Sequence, residues 1–166
     1  MLLQFSTSNF RSIKDEVTLS MMANSKVEEH EDWLCRAGSE NLLSVAALYG
    51  ANAAGKSNIL IAMAVAIKLI RYSDLRGINN TLPDVVPFLF DEEMHTQTTR
   101  FDFIFVYQGE KYQYGFSANR HMIIEEYLYV YESSEAVRIF ERKNINQYVF
   151  PEGNAKRFNE YAGKNT

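Results

Sequence analysis

The chain has 166 residues, of which 46% are hydrophobic, 23% charged and 13% aromatic, the profile of one globular domain and not of a disordered or fibrous chain. Its 17 basic and 21 acidic side chains give a formal net charge of -4, so bulk charge gives no support to nucleic-acid binding. A lone cysteine, Cys35, excludes an internal disulfide, and because the chain has no signal-like start and no charge-free apolar run of about 18 residues, we expect a cytoplasmic protein without a membrane span.

Apolar and polar residues alternate in two stretches at the start of the chain. Leu3 and Phe5 belong to the first stretch, and Val17 and Leu19 to the second, which predicts a β-hairpin over residues 1–22. Residues 23–41 are acidic and polar without a clear period. We expect a loop there, with room for one short helix.

Residues 42–72 are predicted to form a strand, a loop and a helix. The nearly continuous apolar run Leu42–Tyr49 is typical of a strand that is buried on both faces of a sheet in an α/β protein. After Gly55, strong helix formers follow that are apolar on nearly every side, which predicts a central, mostly buried helix. The turn and breaker residues of 74–87 must end it.

Strict alternation returns in the second half of the chain. Phe101, Phe103 and Phe105 predict one strand, and Tyr112 and Tyr114 its hairpin partner, with packing as the favoured role of this aromatic stripe. Further β-rich stretches extend this to an antiparallel meander over residues 100–150. We interpret residues 1–150 as a single lobe and residues 151–166 as a frayed tail or a point of truncation.

The residues between the predicted strand and the predicted helix match the phosphate-binding pattern G-x-x-x-x-G-K-[ST]. Such a loop wraps around a phosphate so that consecutive backbone N–H groups point inward, which favours glycine and other small residues. Small side chains fill the stretch here and leave the loop open to an anion. The loop consists of Gly50, Ala51, Asn52, Ala53, Ala54, Gly55, Lys56 and Ser57.

The end of this pattern has the chemistry to hold a nucleotide. The helix that follows presents unpaired N–H groups and the positive end of its dipole to the same anion. Lys56 has the length to reach the β- and γ-phosphates, and the Ser57 hydroxyl is a ligand for Mg²⁺. The sequence therefore predicts nucleotide binding.

Other motifs give weaker signals. The sequence Asp74-Leu75-Arg76-Gly77 fits the D-x-x-G pattern of GTPases, but it directly follows the predicted helix and the chain has no N-K-x-D guanine-reading motif. Asp91 and Glu92 end a short apolar segment and are candidate catalytic carboxylates, although Pro87 disfavours a central strand and favours an exposed acidic turn. The three histidines, His30, His95 and His121, do not have metal-ligand spacing.

Four segments, in this order, resemble AAA-family ATPases related to the RecF, SMC and OLD group. They are the opening L-Q-F-S-T-S-N-F-R-S-I-K-D-E-V-T-L-S-M, the loop Y-G-A-N-A-A-G-K-S-N-I-L, the segment P-F-L-F-D, and the hairpin F-D-F-I-F-V-Y-Q-G-E-K-Y-Q-Y-G-F followed by I-I-E-E-Y-L. Such proteins have ABC-type ATPase heads, and many bacterial members act in phage defence or DNA repair. The similarity extends over most of the chain.

The resemblance implies an α/β P-loop NTPase lobe with an antiparallel β-subdomain that binds ATP with Mg²⁺. Ala54 stands where relatives often have Ser or Gly, and Arg11, in the N-F-R-S turn, matches a basic position that approaches the nucleotide in such heads. The positions that match the family's phosphate-binding loop are Gly50, Asn52, Gly55, Lys56, Ser57 and Asn58.

The sequence also departs from this family pattern. An ABC-type head needs a serine/glycine signature loop, a strand that ends in an Mg²⁺-ordering Asp and a catalytic Glu, and a later switch His, and the sequence has no convincing copy of these parts. In relatives they lie downstream, so we interpret the chain as the N-terminal lobe only.

Three hypotheses follow. In the first, the lobe binds ATP and hydrolyses it to ADP and phosphate only when a C-terminal lobe and a second head complete the site. The complete protein then forms a homodimer through the nucleotide. In the second, the chain is a non-hydrolysing regulatory module whose P-loop is structural. In the third, it is a stand-alone kinase or hydrolase that uses Asp91 and Glu92.

Overall fold

The computed structural model describes residues 1–24, 31–52, 54–72, 81–132, 135–144 and 147–151. Its helices are a 3-10 turn at Glu31–Trp33, α1 (Lys56–Arg71) and α2 (Glu92–Thr96). Its strands are β1 (Leu2–Ser8), β2 (Val17–Ser20), β3 (Leu34–Ala37), β4 (Glu40–Leu43), β5 (Thr99–Tyr107), β6 (Glu110–Ala118), β7 (Ile123–Glu132), β8 (Glu135–Lys143) and β9 (Gln147–Val149).

Seven strands form one sheet in the order β2-β1-β5-β6-β7-β8-β9, and each neighbouring pair is antiparallel. The predicted pairing of the first two strands is present, with Phe5 opposite Leu19. The hairpin of β5 and β6 turns at Gln108 and Gly109, both with positive φ. The predicted meander of the second half is confirmed.

Helix α1 packs on one face of this sheet. Phe5, Phe101 and Phe116 from neighbouring strands are fully buried against the helix, so the predicted packing role of the aromatic stripe is confirmed. The Phe101 and Phe116 ring centroids lie 5.1 Å apart. Burial of each such side chain contributes about 1.5–3 kcal/mol, and this interface therefore fixes where the first turn of α1 lies.

The prediction that the helix after Gly55, α1, is central and mostly buried is wrong. Its sheet-facing side is buried, but Leu60 on the opposite side is 48% exposed, and Ile67 and Ile70 are exposed as well. The buried positions of α1 are Ile59, Ala62, Val65, Ala66 and Leu69, and they share the side that packs on the sheet. Apolar composition alone does not show which sides of a helix have packing partners.

The prediction of a buried strand over Leu42–Tyr49 is also wrong. Strand β4 ends at Leu43, and Val45 and Tyr49 are 78% and 91% exposed. A strand requires a neighbour for its backbone hydrogen bonds, and within the described part of the chain no strand runs beside residues 44–49. The apolar composition indicates a preference for burial, but it does not supply that neighbour.

Residues 23–41 contain more structure than the predicted loop with a short helix. The 3-10 turn is present, but β3 and β4 form a two-stranded hairpin that the sequence did not predict. Ala37 and Leu42 are buried against Leu3 and Val106 of the main sheet. These long-range contacts hold the hairpin, and a local period does not reveal them. Residues 25–30 lie outside the described ranges.

Asn9 anchors the end of β1 to the segment before β5. Its side-chain amide donates hydrogen bonds to the carbonyl oxygens of Met94 (2.9 Å) and Gln97 (3.0 Å), and its Oδ1 accepts one from the Phe88 N–H at 2.8 Å. Asn9 is buried and has φ +51, a left-handed conformation that asparagine tolerates. The residue therefore satisfies several backbone groups at once.

The face of the sheet away from α1 carries a polar cluster around the Asp102 carboxylate. Asp102 is 8% exposed, and the Gln113 amide donates to its two oxygens at 3.2 and 3.1 Å. The Tyr127 hydroxyl donates to Asp102 Oδ2 and accepts a hydrogen bond from Arg100. Gly115 lies opposite both Asp102 and Tyr127 in the register and leaves room for their contact.

Candidate functional site

Gly55 ends the predicted phosphate-binding loop and is the N-cap of α1. Its φ of +85 lies in the left-handed region that favours glycine, and the helix begins at the next residue, Lys56. The first turn of α1 holds no acidic side chain. The positive end of the helix dipole therefore stays available to an anion.

The Lys56 side chain lies against the loop that precedes it. Its Nζ donates hydrogen bonds to the carbonyl oxygens of Gly50 at 2.7 Å and Ala51 at 2.6 Å. The Ala54 N–H donates to the Ala51 carbonyl at 3.2 Å. The loop thus closes into a compact turn that carries the ammonium group. Ala53 lies outside the described residues.

Three polar side chains of the predicted site have different environments. Asn52 is exposed in the loop, and Ser57 is exposed in the first turn of α1. Asn58 Nδ2 donates to the Ser12 hydroxyl at 2.6 Å. In the described ranges, no three His, Cys, Asp or Glu side chains form a metal-binding cluster. The Ser57 hydroxyl fits Mg²⁺ as a single protein ligand, since Mg²⁺ retains several waters and binds substrate phosphates.

Arg11 lies at the tip of a tight turn beside this loop. Phe10 and Ile13 exchange two backbone hydrogen bonds of 2.8 Å each, so Arg11 and Ser12 form the tip. Ser12 Oγ lies 3.4 Å from the position that a Cβ atom on Gly55 would take. The structure therefore brings the turn of Arg11, through Ser12, next to the end of the phosphate-binding loop, although the two are separated by about forty residues of sequence.

Asp91 is occupied by structural contacts. Its Oδ1 accepts the Glu93 N–H at 3.0 Å as the N-cap of α2, and its Oδ2 pairs with Lys14 Nζ at 2.6 Å. The Lys14 ammonium lowers the pKa of the Asp91 carboxyl below its ordinary value. The segment before Asp91 forms no strand, as the sequence indicates, but the predicted exposed acidic turn is a helix start: Asp91 is the half-buried N-cap and Glu92 is the first residue of α2.

The remaining motifs do not join the site. His95 Nε2 lies 3.0 Å from the Leu89 carbonyl oxygen, and His121 is exposed in a turn. His30 and the D-x-x-G sequence of residues 74–77 lie outside the described ranges, as do residues 152–166.

A cavity of about 400 Å³ opens beside Lys56 and Ser57. A larger one of about 1010 Å³ lies between the second half of α1 and the sheet, and residues 50–57 do not line it. Apolar side chains dominate the smaller cavity, and they are Leu19, Met21, Val45, Ala46, Leu48 and Leu60.

Sequence reasoning missed Ser12 and Asn9, which position the turn that carries Arg11. The sequence contains no local signal for these contacts, because the partners of Ser12 and Asn9 lie 46 or more positions away along the chain.

Comparison with known proteins finds a family match for the sequence of this chain. A family model described as "AAA domain, putative AbiEii toxin, Type IV TA system" matches residues 45–146, which is more than half of the chain. A search of curated proteins finds no match. In the part of the chain that the structure describes, no helix is both long and apolar enough to cross a membrane.

Proposed function

The chain belongs to this family of AAA domains, and we propose that residues 50–58 bind the phosphates of ATP together with Mg²⁺. Family membership makes the chain a P-loop NTPase domain with a nucleotide-binding, ATPase-like function. The observation that carries the finer proposal is the juxtaposition of the Gly55 N-cap, the exposed start of α1 and Lys56 at one loop. These groups together present backbone N–H groups, a helix dipole and an ammonium to one anion.

Each residue of the site has a role in this proposal. Gly50, Ala51, Asn52, Ala53, Ala54 and Gly55 form the cradle of backbone amides. Lys56 stabilises charge on the β- and γ-phosphates as the catalytic side chain, and the Ser57 hydroxyl holds Mg²⁺, which neutralises phosphate charge when bound. Arg11 approaches the nucleotide from the neighbouring turn.

We further propose that hydrolysis to ADP and phosphate requires a C-terminal lobe and a second head of the ABC type, as in RecF/SMC/OLD-like proteins. The exposed apolar side chains of Val45, Leu48 and Leu60 around the cavity beside Ser57 support this, because exposed apolar patches mark sites of protein–protein contact. A homodimer then forms through the nucleotide, in a cytoplasmic protein that acts in DNA repair or phage defence. The net charge gives no support to a nucleic-acid partner.

One observation favours the alternative of a non-hydrolysing regulatory module with a structural P-loop. The Lys56 ammonium has two backbone acceptors within the loop itself, on Gly50 and Ala51, and therefore stabilises the turn. The third hypothesis, a stand-alone kinase or hydrolase, loses support because Asp91 is held by Lys14 and by the N-cap of α2.

Equilibrium titration of the chain with a fluorescent ATP analogue and Mg²⁺ tests the proposal. We expect saturable binding that Lys56→Ala abolishes and Lys143→Ala, a substitution of an exposed lysine on β8, leaves unchanged. Equal affinity in Lys56→Ala and the unmodified chain would exclude phosphate binding by this loop and favour the structural alternative.

A further inference from the structure

We propose that Ser12 is a positioning residue for the nucleotide site, where its hydrogen bond with Asn58 holds the turn of Arg11 against the phosphate-binding loop. The inference rests on the proposed ATP-binding function of residues 50–58. It adds a residue that acts through Arg11 and does not itself touch the nucleotide.

The contact between Ser12 and Asn58 joins two parts of the chain that are 46 residues apart. Asn58 Nδ2 donates to Ser12 Oγ at 2.6 Å, directly after the loop and one residue beyond Ser57. The Asn58 backbone N–H donates to the Gly55 carbonyl at 2.9 Å, so the helix fixes this residue in place. Ser12 is thereby tied to the same turn of helix that carries Lys56 and Ser57.

The turn on the other side of this bond is rigid. Phe10 and Ile13 flank its tip and are buried in the core together with Ile59 of α1. Both are joined by two backbone hydrogen bonds, and the Arg11 N–H donates to the Val86 carbonyl at 2.8 Å. The backbone of Arg11 therefore has little freedom to move relative to its own turn.

The side chain of Arg11 is exposed, and its guanidinium lies 5.6 Å from the centroid of the Phe10 ring. Among the described residues, no carboxylate lies within ion-pair distance of this guanidinium. An arginine without a carboxylate partner, held beside a phosphate-binding loop, is suited to bind phosphate oxygens. The Ser12–Asn58 bond sets the position from which that side chain reaches the nucleotide.

The Ser12 hydroxyl faces the glycine that ends the loop. Ser12 Oγ lies 3.4 Å from the position that a Cβ on Gly55 would take, so the absence of a side chain at Gly55 leaves room for this hydroxyl. Loss of the hydroxyl removes the hydrogen bond with Asn58. We expect Ser12→Ala to bind Mg-ATP roughly three- to tenfold more weakly, the range of one lost hydrogen bond.

A double-mutant cycle on Mg-ATP affinity tests the proposal, with variants Ser12→Ala, Arg11→Ala and the double variant. We expect Ser12→Ala to weaken binding in the unmodified chain and to add no further loss in the Arg11→Ala background. Ser12→Thr, which keeps the hydroxyl, should restore affinity to within about twofold of the unmodified chain. A structural role that is independent of Arg11 would not produce this coupling.

An equal loss from Ser12→Ala in both backgrounds, or none in either, would overturn the inference. Thermal denaturation of each variant checks its fold, and if Ser12→Ala does not fold, Asn58→Ala breaks the same bond and repeats the cycle with the same expected coupling. Failure of the proposed function is distinguishable from failure of this inference. The proposed function fails if the unmodified chain does not bind Mg-ATP, or if Lys56→Ala binds Mg-ATP as tightly as the unmodified chain.

Discussion

Replacement of Gly115 by alanine should destabilise the fold strongly, because the space for a side chain is occupied. A Cβ on Gly115 would clash with Oη and Cζ of Tyr127 and would lie 2.7 Å from Asp102 Oδ2. The φ of Gly115 is not positive, so the expected effect is steric and does not come from lost backbone freedom. Tyr127 must withdraw from Asp102 to admit the methyl group.

The magnitude follows from two contributions. The hydrogen bond from Tyr127 to the buried Asp102 carboxylate is charge-assisted and contributes about 1.5–3 kcal/mol, and overpacking of a filled site costs about 1–3 kcal/mol. We therefore expect Gly115→Ala to lower the free energy of unfolding by about 3–5 kcal/mol. Urea denaturation measures this change, with the slope of the transition as a check on two-state behaviour.

Tyr127→Phe is the matched background for this measurement. It removes the hydroxyl that both bonds Asp102 and meets the new methyl group, so Gly115→Ala should cost less in Tyr127→Phe than in the unmodified chain. A free energy of unfolding for Gly115→Ala within about 0.5 kcal/mol of the unmodified value would refute the reasoning, since it would place this alanine among neutral surface substitutions.

Further predictions concern the same fold. Burial, and then the hydrogen bond to Asp102, raise the pKa of Tyr127 to about 12. Because an unfolded tyrosine ionises near pH 10, the stability that this group contributes below pH 10 should be lost as the pH rises towards 12. Urea denaturation across this window should show a smaller loss of stability in Tyr127→Phe than in the unmodified chain. Asn9→Ala should lower the free energy of unfolding by about 2–4 kcal/mol, and Asn9→Gly by about 1 kcal/mol less, because glycine adopts the left-handed backbone conformation easily but does not restore the hydrogen bonds. Equal losses for the two variants in urea denaturation would contradict the backbone contribution. Leu69 is 3% exposed, so Leu69→Ala should lower the free energy of unfolding by about 2–5 kcal/mol, whereas Leu60→Ala on the opposite side of α1 should lower it much less. Equal losses of thermal stability in the two variants would contradict this difference in burial.

Local sequence patterns predicted those strands in which the alternation of side chains follows burial of one face of the sheet. The alternation of Phe101, Phe103 and Phe105 reports a strand with one buried face, and the structure pairs it in the expected hairpin. The run Leu42–Tyr49 misled because composition does not reveal whether a neighbouring strand exists. The β3–β4 hairpin escaped because its stability comes from Leu3 and Val106, which are distant in sequence.

In the candidate site, too, local contacts could be predicted from the sequence and long-range contacts could not. Gly55, Lys56 and Ser57 are consecutive, so the spacing of the motif was enough to predict that they meet at the start of a helix. The contact of Ser12 with Asn58 depends on how β1 and α1 pack, and a single sequence contains no local signal for it. The turn of Arg11 was predicted as a functional element, but its anchoring required the tertiary structure.

The most direct test of the central claim is the thermal denaturation of this chain with and without Mg-ATP, in the unmodified protein and in Lys56→Ala. Ligand at 100 times its dissociation constant adds about 2.7 kcal/mol of stability, which for a domain of this size raises the Tm by about 5–11 °C. We predict such a rise in the unmodified chain and none in Lys56→Ala. An unchanged Tm in the unmodified chain at saturating Mg-ATP, or an equal rise in both proteins, would contradict the proposal that residues 50–58 bind ATP.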